Sequence, residues 1–169
     1  MMHRVVRRAL TSSSVYRGSR MSHSHTPFHL AVPVHDLNLA KEFYGGLLGF
    51  EEGVTGPTYQ ARTHRVYNMF GHQLVIHNAG PTYRCVDLPA AGDDVPMPHF
   101  GVCLSVGEFH SFRERMETSG VRFTLPPHVR YEGRPGEQWK LFFKDPSGNN
   151  LEIKALVDAQ GLFAKYIET

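Results

Sequence analysis

The sequence has few of the residues that mark several classes of protein. It contains only 2 cysteines and 1 tryptophan among 169 residues. Cys85 and Cys103 form no CxxC pair, and two thiols are too few for a disulfide scaffold, so we interpret both as reduced. No apolar run approaches the roughly 18 to 20 residues that a membrane-spanning helix needs. The sequence therefore predicts neither a disulfide-rich protein nor a transmembrane helix.

Negative charge is missing from the start of the chain. Residues 1–25 hold five arginines and no acid, and the first carboxylate is Asp36. This basic, serine-containing composition is typical of a mitochondrial transit peptide and predicts a mitochondrial location. An extension without a targeting role, with the protein otherwise cytoplasmic, and a translation start at Met21 are the alternatives. Residues 26–169 hold 13 basic and 16 acidic residues, a balance that predicts no nucleic-acid partner and no membrane partner.

The remaining chain contains the same order of elements twice, namely a strand, a helix and three strands. Helix ends are indicated by Asp36 as an N-cap and by Gly49 and Gly120 as stop signals. The predicted second helix covers Glu108–Ser119. The resulting division is 1–25 for the basic extension, 27–80 for the first unit, 81–96 for a linker, 97–157 for the second unit and 158–169 for a short C-terminal helix.

Equivalent residues strengthen this repeat. Aligning the first strands places His29 opposite His99, and aligning the last strands places Gly71 opposite Gly148. The second unit is seven residues longer, and we assign the extra length to a proline- and glycine-rich surface loop within 126–137. One unit of about 50 residues is too small to bury its own sheet, so the two units must share a core. The predicted fold class is α+β, with two βαβββ units that form an open mixed sheet around a metal-containing cavity.

A metal site is predicted from the polar face of these strands. The predicted lining residues are His29, Gln73, Val75 and His77 of the first unit and His99, Asn150, Glu152 and Lys154 of the second unit. A carboxylate inside the strand NLEIKAL needs a partner because an unpaired buried charge costs several kcal/mol. Two histidines and one carboxylate form a facial triad, which leaves about three positions of an octahedral iron(II) open. Manganese, or zinc with an open site, fits the same residues.

The chain also resembles a known family over residues 27–157. The segments FHLAVPVHDLNLAKEFYGGLLGF, PHFGV and DPSGNNLEIK resemble the vicinal oxygen chelate superfamily, which includes glyoxalase I, bleomycin-resistance proteins and extradiol dioxygenases. The resemblance implies paired βαβββ units and a metal held by His29, His99 and Glu152, as in extradiol dioxygenases. Glyoxalase I takes a fourth ligand from the last strand of its first unit, where this chain has Val75.

The resemblance implies chemistry on a small molecule that chelates the metal through two neighbouring oxygens. We therefore expect an extradiol-type dioxygenase acting on a vicinal diol or enediol, with iron(II) as the first expectation and manganese, nickel or zinc as alternatives. Extradiol enzymes also use a histidine acid/base and a tyrosine, for which His77 and Tyr131 are the catalytic candidates. The candidate substrate-binding residues are Tyr67, Arg130 and Gln138.

Other activities stay open on the sequence alone. Phe142 and Phe143 stand where a tyrosine is expected shortly before the glutamate, which keeps a glyoxalase-like lyase, isomerase or epimerase as a second hypothesis. A ligand-binding protein of the bleomycin-resistance type is a third, although those proteins lack the metal ligands. The family also implies a homodimer. The connection between the units is long enough for them to close one cavity within a chain or to exchange between chains.

Overall fold

The structure, a computed structural model, describes residues 26–54, 56, 63–88 and 95–163. The predicted targeting segment 1–25 lies outside these residues. The strands of the first sheet are β1 His29–Val34, β2 Glu51–Glu52, β3 His64–Met69 and β4 His72–Asn78. Those of the second sheet are β5 His99–Leu104, β6 Phe123–Arg130, β7 Gln138–Lys144 and β8 Asn150–Leu156. In the described part of the chain, no helix combines the length and the apolar character that crossing a membrane requires.

The two sheets have the same topology. The strand order is β1-β4-β3-β2 in the first and β5-β8-β7-β6 in the second. In each unit the first strand pairs in parallel with the last strand, and the other neighbours are antiparallel. The predicted α+β fold of two βαβββ units is confirmed. Both sheets are open, so each keeps one face that its own helix does not cover.

The first helical segment begins where the sequence predicts. Helix α1 covers Leu37–Lys41, and the Asp36 carboxylate caps it by accepting hydrogen bonds from the amides of Asn38 at 2.7 Å and Leu39 at 3.1 Å. The segment continues as a π-helical stretch over Glu42–Leu47. Gly49, with φ +69°, ends it in the left-handed region that favours glycine. The start of this helical segment was predictable from its N-cap, whereas its change to a π-helix was not.

The second helix, α2 Val106–Thr118, begins two residues before its predicted start. Ser105 is the N-cap, and the Glu108 carboxylate returns to the Ser105 amide at 3.0 Å to complete a capping box. Glu108 is thus the third residue of the helix rather than its first. The predicted end is close, because Gly120 has φ +74° directly after the C-cap.

The predicted loop over 126–137 is partly wrong. β6 continues through Pro126 and Pro127 to Arg130, with register shifts against β7 between Phe123 and His128. Prolines are tolerated here because β6 is the edge strand, where the missing N–H interrupts no ladder on the outer side. The loop itself is 131–137. At the C-terminal end, a 3₁₀ helix covers Ala159–Phe163, and the rest of the predicted C-terminal helix lies outside the described residues.

One hydrophobic core joins the two units through their helix-bearing faces. Ring centroids of Phe43 and Phe143 lie 6.1 Å apart, and the Tyr44 hydroxyl donates to the Asp145 carboxylate at 2.9 Å. These contacts use the face of each sheet that carries apolar residues. The polar face of each sheet therefore points away from this core.

Candidate metal centre

Each sheet presents one polar face away from the core. In the first sheet, one side of β1, β3 and β4 carries His29, Ala31, His64, Gln73, Val75 and His77. We call this side the first open face. In the second sheet, one side of β5 to β8 carries His99, Arg130, Lys140, Phe142, Glu152 and Lys154. We call this side the second open face. Along β5, residues His99, Gly101 and Cys103 are exposed while their neighbours are half-buried. The predicted lining residues differ in exposure: His29, Gln73, His77 and His99 are exposed, Glu152 and Lys154 are half-buried, and Val75 and Asn150 are buried.

His99 and Glu152 meet on the second open face. The Nε2 atom of His99 lies 3.5 Å from Oε2 of Glu152. The Nδ1 atom of His99 lies 2.7 Å from the Pro96 carbonyl oxygen, which only accepts hydrogen bonds. Nδ1 therefore carries the proton in the neutral ring, and Nε2 directs its lone pair toward Glu152. This arrangement fits two ligands of one divalent ion, with the second ring nitrogen oriented by a backbone carbonyl as is usual for metal-binding histidines.

His29 has the matching arrangement on the first open face. Its Nδ1 atom lies 2.7 Å from Oε1 of Gln73, its register partner on β4. The amide oxygen accepts the Nδ1 proton and leaves Nε2 of His29 as a free lone pair. The repeat thus produces two histidines in the same tautomer. The sequence places Gln73 beside the site but does not show that it orients His29.

The three predicted ligands do not come together within one chain. Among the described residues, no group of three or more histidine, cysteine, aspartate or glutamate side chains is arranged to hold a metal ion. His29 belongs to the first sheet, and His99 and Glu152 belong to the second, while the sheets join through their opposite, helix-bearing faces. The sequence left open whether the two units close one cavity within a chain or between chains, and among the described residues the three predicted ligands form no such site within the chain. His99 and Glu152 are close enough to bind one ion, and the assignment of His29, His99 and Glu152 as metal ligands stays a prediction.

Gly101 is required beside Glu152. It is the register partner of Glu152 in the parallel β5 and β8 pair, and a Cβ atom built on it would collide with the backbone carbonyl of Glu152. Glycine lets the two backbones approach and leaves the space between His99 and Cys103 free of a side chain. The close approach of β5 and β8 thus explains why PHFGV has a glycine at this position.

The most specific motif, DPSGNN, forms the turn before β8. The buried Asp145 carboxylate accepts hydrogen bonds at 2.8 Å from the amides of Ser147 and Asn149 and from the Asn149 side chain. Burial, reinforced by the adjacent Asp145 carboxylate, raises the pKa of Tyr44 well above its usual value, so the phenol stays a donor. The motif anchors β8, and with it Glu152, to the helical segment of the first unit.

No fourth ligand is available at the position discussed for glyoxalase I. Val75 lies on β4 as the register partner of Ala31 and is 6% exposed. Its side chain has no lone pair to give to a metal. The ligand set predicted from the sequence is two imidazoles and one carboxylate, a set that suits iron(II) with open positions.

The predicted catalytic residues lie on exposed surfaces. His77 is exposed on the first open face, and its ring centroid lies 5.3 Å from that of its cross-strand partner His64. Tyr131 is 47% exposed and begins the β6–β7 loop with φ +58°, an uncommon conformation for a residue other than glycine. Their catalytic roles stay predictions.

The predicted substrate-binding residues divide into two groups. Arg130 and Gln138 are register partners at the end of the second open face, and the Arg130 guanidinium lies 5.0 Å from the centroid of the Tyr131 ring. Tyr67 is instead in the core at 1% exposure, and burial raises its pKa to about 12. Its position gives a substrate no access to the hydroxyl, because Tyr67 points away from the first open face. The predicted substrate contact of Tyr67 therefore does not fit its place in the core.

Lys140 is the residue on this face that sequence reasoning missed. It lies on β7 opposite Lys154, and its Nζ atom is 5.7 Å from the centroid of Phe142. The available signal was the alternation of Gln138, Lys140 and Phe142, which places them on one side of the strand. The proline- and glycine-rich composition immediately before β7 obscures that pattern.

Comparison with known proteins gives one family and several similar structures. The model of the glyoxalase/bleomycin resistance protein/dioxygenase superfamily matches residues 26–153. A glyoxalase/bleomycin resistance protein/dioxygenase from Alicyclobacillus acidocaldarius is 28% identical with a TM-score of 0.68, and the match covers 85% of this chain and 100% of that one. No curated protein matches the chain.

Two more distant structures share the fold. A lactoylglutathione lyase from Agrobacterium tumefaciens is 17% identical with a TM-score of 0.54, covering 85% of this chain and 99% of that one. A fosfomycin resistance protein from Listeria monocytogenes is 18% identical with a TM-score of 0.53, covering 83% and 98%. These identities support the shared architecture and no particular activity. Because the family model spans most of the chain, this protein belongs to the glyoxalase/bleomycin resistance protein/dioxygenase superfamily.

Proposed function

We propose that this protein is a metal-dependent dioxygenase of the extradiol type that acts on a small vicinal diol or enediol. The observation that supports it best is the matched orientation of His29 and His99, each with Nδ1 bound to an oxygen and Nε2 presented on an open face. Glu152 supplies the carboxylate beside His99. A divalent ion bound there supplies a Lewis acid for two neighbouring substrate oxygens and, as iron(II), electrons for dioxygen.

The site we propose lies between two copies of the chain. His99 and Glu152 of one copy would meet His29 of the partner subunit, since the polar faces of a single chain point outward. A two-fold axis would form two such sites at once, because the same pair of surfaces meets twice. The exposed Ala31 gives the first open face apolar surface to bury in this contact, and the exposed Phe28, at 62%, lies directly before β1.

The chain's residues have separate tasks in this site. The Pro96 carbonyl and the Gln73 amide hold the two imidazoles in the binding tautomer. Phe142 packs its ring edge-on against His99, with centroids 5.3 Å apart, and restricts the imidazole from one side. We assign to the exposed His77 the task of accepting or returning a substrate proton, and to the exposed Tyr131 a substrate contact. Val75 cannot bind a metal, so substrate and oxygen would take the remaining positions of an ion held there.

One observation favours a second candidate, a glyoxalase-like isomerase or epimerase that uses the metal without oxygen. Phe142 is the cross-strand partner of Glu152, so a ring without a hydroxyl lies beside the proposed ligands. A phenol there would donate to a reduced oxygen species, and its absence removes one group that ring cleavage employs. Oxygen consumption separates the two candidates. Protein loaded anaerobically with iron(II) should consume oxygen with at least one catechol of a panel, and no consumption would leave the isomerase.

The shared site is tested by mixing variants. H29A and H99A chains should each lose metal when purified alone without chelators. Co-purified dimers with one chain of each kind should regain one intact site per dimer, because His29 of one chain meets His99 and Glu152 of the other. Elemental analysis measures the metal. A mixed dimer that binds no metal, or a monomeric wild type that binds it fully, would contradict the site between chains.

We further propose that residues 1–25 direct the protein to mitochondria, on their arginine content and lack of acid. The full chain and a chain starting at Met21, each fused to a fluorescent protein, provide the test. Mitochondrial signal is expected only for the full chain. Equal distribution of both fusions would show that the segment is a basic extension without that role.

A further inference from the structure

A further pair of histidines lies on the first open face. His64 on β3 and His77 on β4 are cross-strand partners. Their ring centroids lie 5.3 Å apart, with an angle of 32° between the ring planes. His77 is exposed and His64 is half-buried, so solvent reaches both rings. The sheet thus holds two metal-binding side chains side by side.

The hydrogen-bond pattern of the β3–β4 hairpin explains this close approach. The Asn78 amide donates to the Thr63 carbonyl at 2.8 Å, so Thr63 and Asn78 form a hydrogen-bonded pair. In an antiparallel sheet such pairs alternate with non-hydrogen-bonded pairs, whose Cα atoms are only about 4.5 Å apart. His64 and His77 are the next pair along the strands and are therefore of the closer kind. The register of the hairpin brings the two imidazoles together.

The spacing of the rings fits two ligands of one divalent ion. Zinc binds imidazole nitrogen at about 2.0 to 2.1 Å, and two such rings on one tetrahedral ion have centroids roughly 5 Å apart. Nδ1 of His64 lies 3.2 Å from the Thr63 hydroxyl oxygen, which can accept the ring proton and leave Nε2 as a lone pair. His77 is exposed, so its ring can turn either nitrogen toward the same ion. Among the described residues no third histidine, cysteine, aspartate or glutamate completes the site, so water would fill the other positions.

The surroundings of the pair on this face are uncharged in the described strands. The next cross-strand pair is Val66 and Val75, and Pro33 of β1 is the register partner of His77. Arg65 follows His64 and therefore points to the opposite side of β3, where its guanidinium lies 2.7 Å from the Glu52 carboxylate. A divalent ion at the two imidazoles thus meets no like charge from these strands.

The pair is separate from the proposed metal centre. His29 is the register partner of Gln73, which precedes His77 by four residues on β4. At about 3.3 Å per residue, this spacing places His29 and His77 roughly 13 Å apart along the strands. That distance is too long for one ion to bind both residues.

We propose that His64 and His77 together bind one divalent ion of the class that imidazole ligands suit, namely zinc, copper or nickel. The site does not depend on His29, His99 or Glu152, so this inference goes beyond the proposed function. A bound ion would take the lone pair with which His77 accepts a substrate proton. The ion and that proton therefore exclude each other at His77.

The test measures nickel binding by the full chain. Nickel chloride is the probe, because imidazole suits nickel(II) whereas the thiols of the chain would compete for zinc. The parent is the H99A chain, in which a ligand of the proposed metal centre is missing. Titration calorimetry at pH 7 should show one nickel ion per chain at this site. H64Q and H77Q should each lower its affinity by at least about tenfold, and H64Q/H77Q should remove little more, because the ion needs both rings.

Two controls remove histidines elsewhere. H23Q/H25Q takes away two histidines of residues 1–25, and H128Q takes away a strand histidine whose cross-strand partner is Lys140. Both controls should bind nickel as tightly as the parent. An affinity that H64Q and H77Q leave within about twofold of the parent, or the same loss in a control, would overturn the proposal.

The ring signals of the two histidines provide a second measurement on the wild-type chain. Substoichiometric nickel(II), which is paramagnetic, should broaden the imidazole NMR signals of His64 and His77 together. If a substituted chain does not fold by circular dichroism, this measurement decides. Broadening of only one of the two rings, or of neither, contradicts a shared ion.

These outcomes are separate from those of the proposed function. Nickel held by His64 and His77 in H99A supports this site whatever metal the wild type carries at His99. Stoichiometric metal in the wild type as purified, with no nickel bound by the pair, would refute this inference alone.

Discussion

The Nε2 atom of His99 lies 3.5 Å from Oε2 of Glu152, on the adjacent strands β5 and β8. Donors about 2.0 to 2.2 Å from one ion can stand this far apart. The Pro96 carbonyl directs the lone pair of His99 toward Glu152, and Gly101 lets the two strands approach. Contacts within the chain thus bring together His99 and Glu152, two of the three proposed ligands.

The hydrogen bond from His29 to Gln73 gives the first prediction. Gln73→Leu removes the acceptor that orients the His29 imidazole, and such oriented partners typically contribute about 10- to 100-fold to metal affinity. We expect metal affinity to fall by a factor in this range, measured by competition with a chelator of known affinity. Gln73→Glu keeps an acceptor oxygen and should restore most of the affinity. Unchanged affinity in Gln73→Leu would show that His29 needs no orienting partner.

The side chain at position 75 should control the number of open metal positions. Val75→Glu places a carboxylate where glyoxalase I has its fourth ligand, so we expect tighter metal binding and slower oxygen consumption. Val75→Leu is the matched apolar control and should change neither quantity by more than about twofold. The oxygen electrode and the chelator competition provide the measurements. Faster oxygen consumption in Val75→Glu would contradict the assignment of open positions to substrate and oxygen.

Two buried tyrosines make a matched pair for stability. Tyr44→Phe removes a hydrogen bond to the buried Asp145 carboxylate, and bonds to charged groups contribute about 1.5 to 3 kcal/mol. Tyr67 has a buried hydroxyl with no hydrogen-bond partner among the described residues, so Tyr67→Phe should leave the free energy of unfolding unchanged or higher. Urea unfolding at pH 7 measures both. Equal destabilisation by the two substitutions would contradict this difference.

The raised pKa of Tyr67 predicts that the free energy of unfolding falls at alkaline pH. The pKa of Tyr67 is raised from 10.0 to about 12, so the folded chain holds this proton more tightly than the unfolded chain. Its contribution is complete below pH 10 and declines as the pH rises from 10 toward 12. Tyr67→Phe should therefore flatten the fall in unfolding free energy over this range. If the free energy of unfolding falls equally with pH in the variant and the wild type, Tyr67 is not responsible for the fall.

Glycines provide the last comparison. Gly101→Ala places a Cβ against the backbone of Glu152, and forced strand displacement of this kind typically costs about 1 to 3 kcal/mol. Gly107 lies in the first turn of α2 with open space around it, so Gly107→Ala should stabilise by up to about 1 kcal/mol through helix propensity and chain entropy. Thermal unfolding measures the two shifts. A Gly101→Ala variant as stable as the wild type would mean that β5 and β8 have room to separate.

Much of the fold was predictable because its signals are local. Asp36 and Gly49 mark the ends of the first helical segment through a cap and a positive φ. The internal repeat pairs His29 with His99 from the order of residues alone. The errors also have local causes. The N-cap of α2 is Ser105, so the helix begins before the predicted Glu108. The edge position of β6 allows this strand to include two prolines.

The sequence by itself determined the two βαβββ units, the face of each strand that carries polar residues, and the identity of the three proposed ligands. These follow from alternation along a strand and from an internal repeat, which depend on near neighbours alone. Only the tertiary structure decided that the units join through Tyr44, Phe43 and their partners, with His29 apart from Glu152. Burial of the apolar faces favours that packing, and no pattern within one unit specifies which face of the other it will meet.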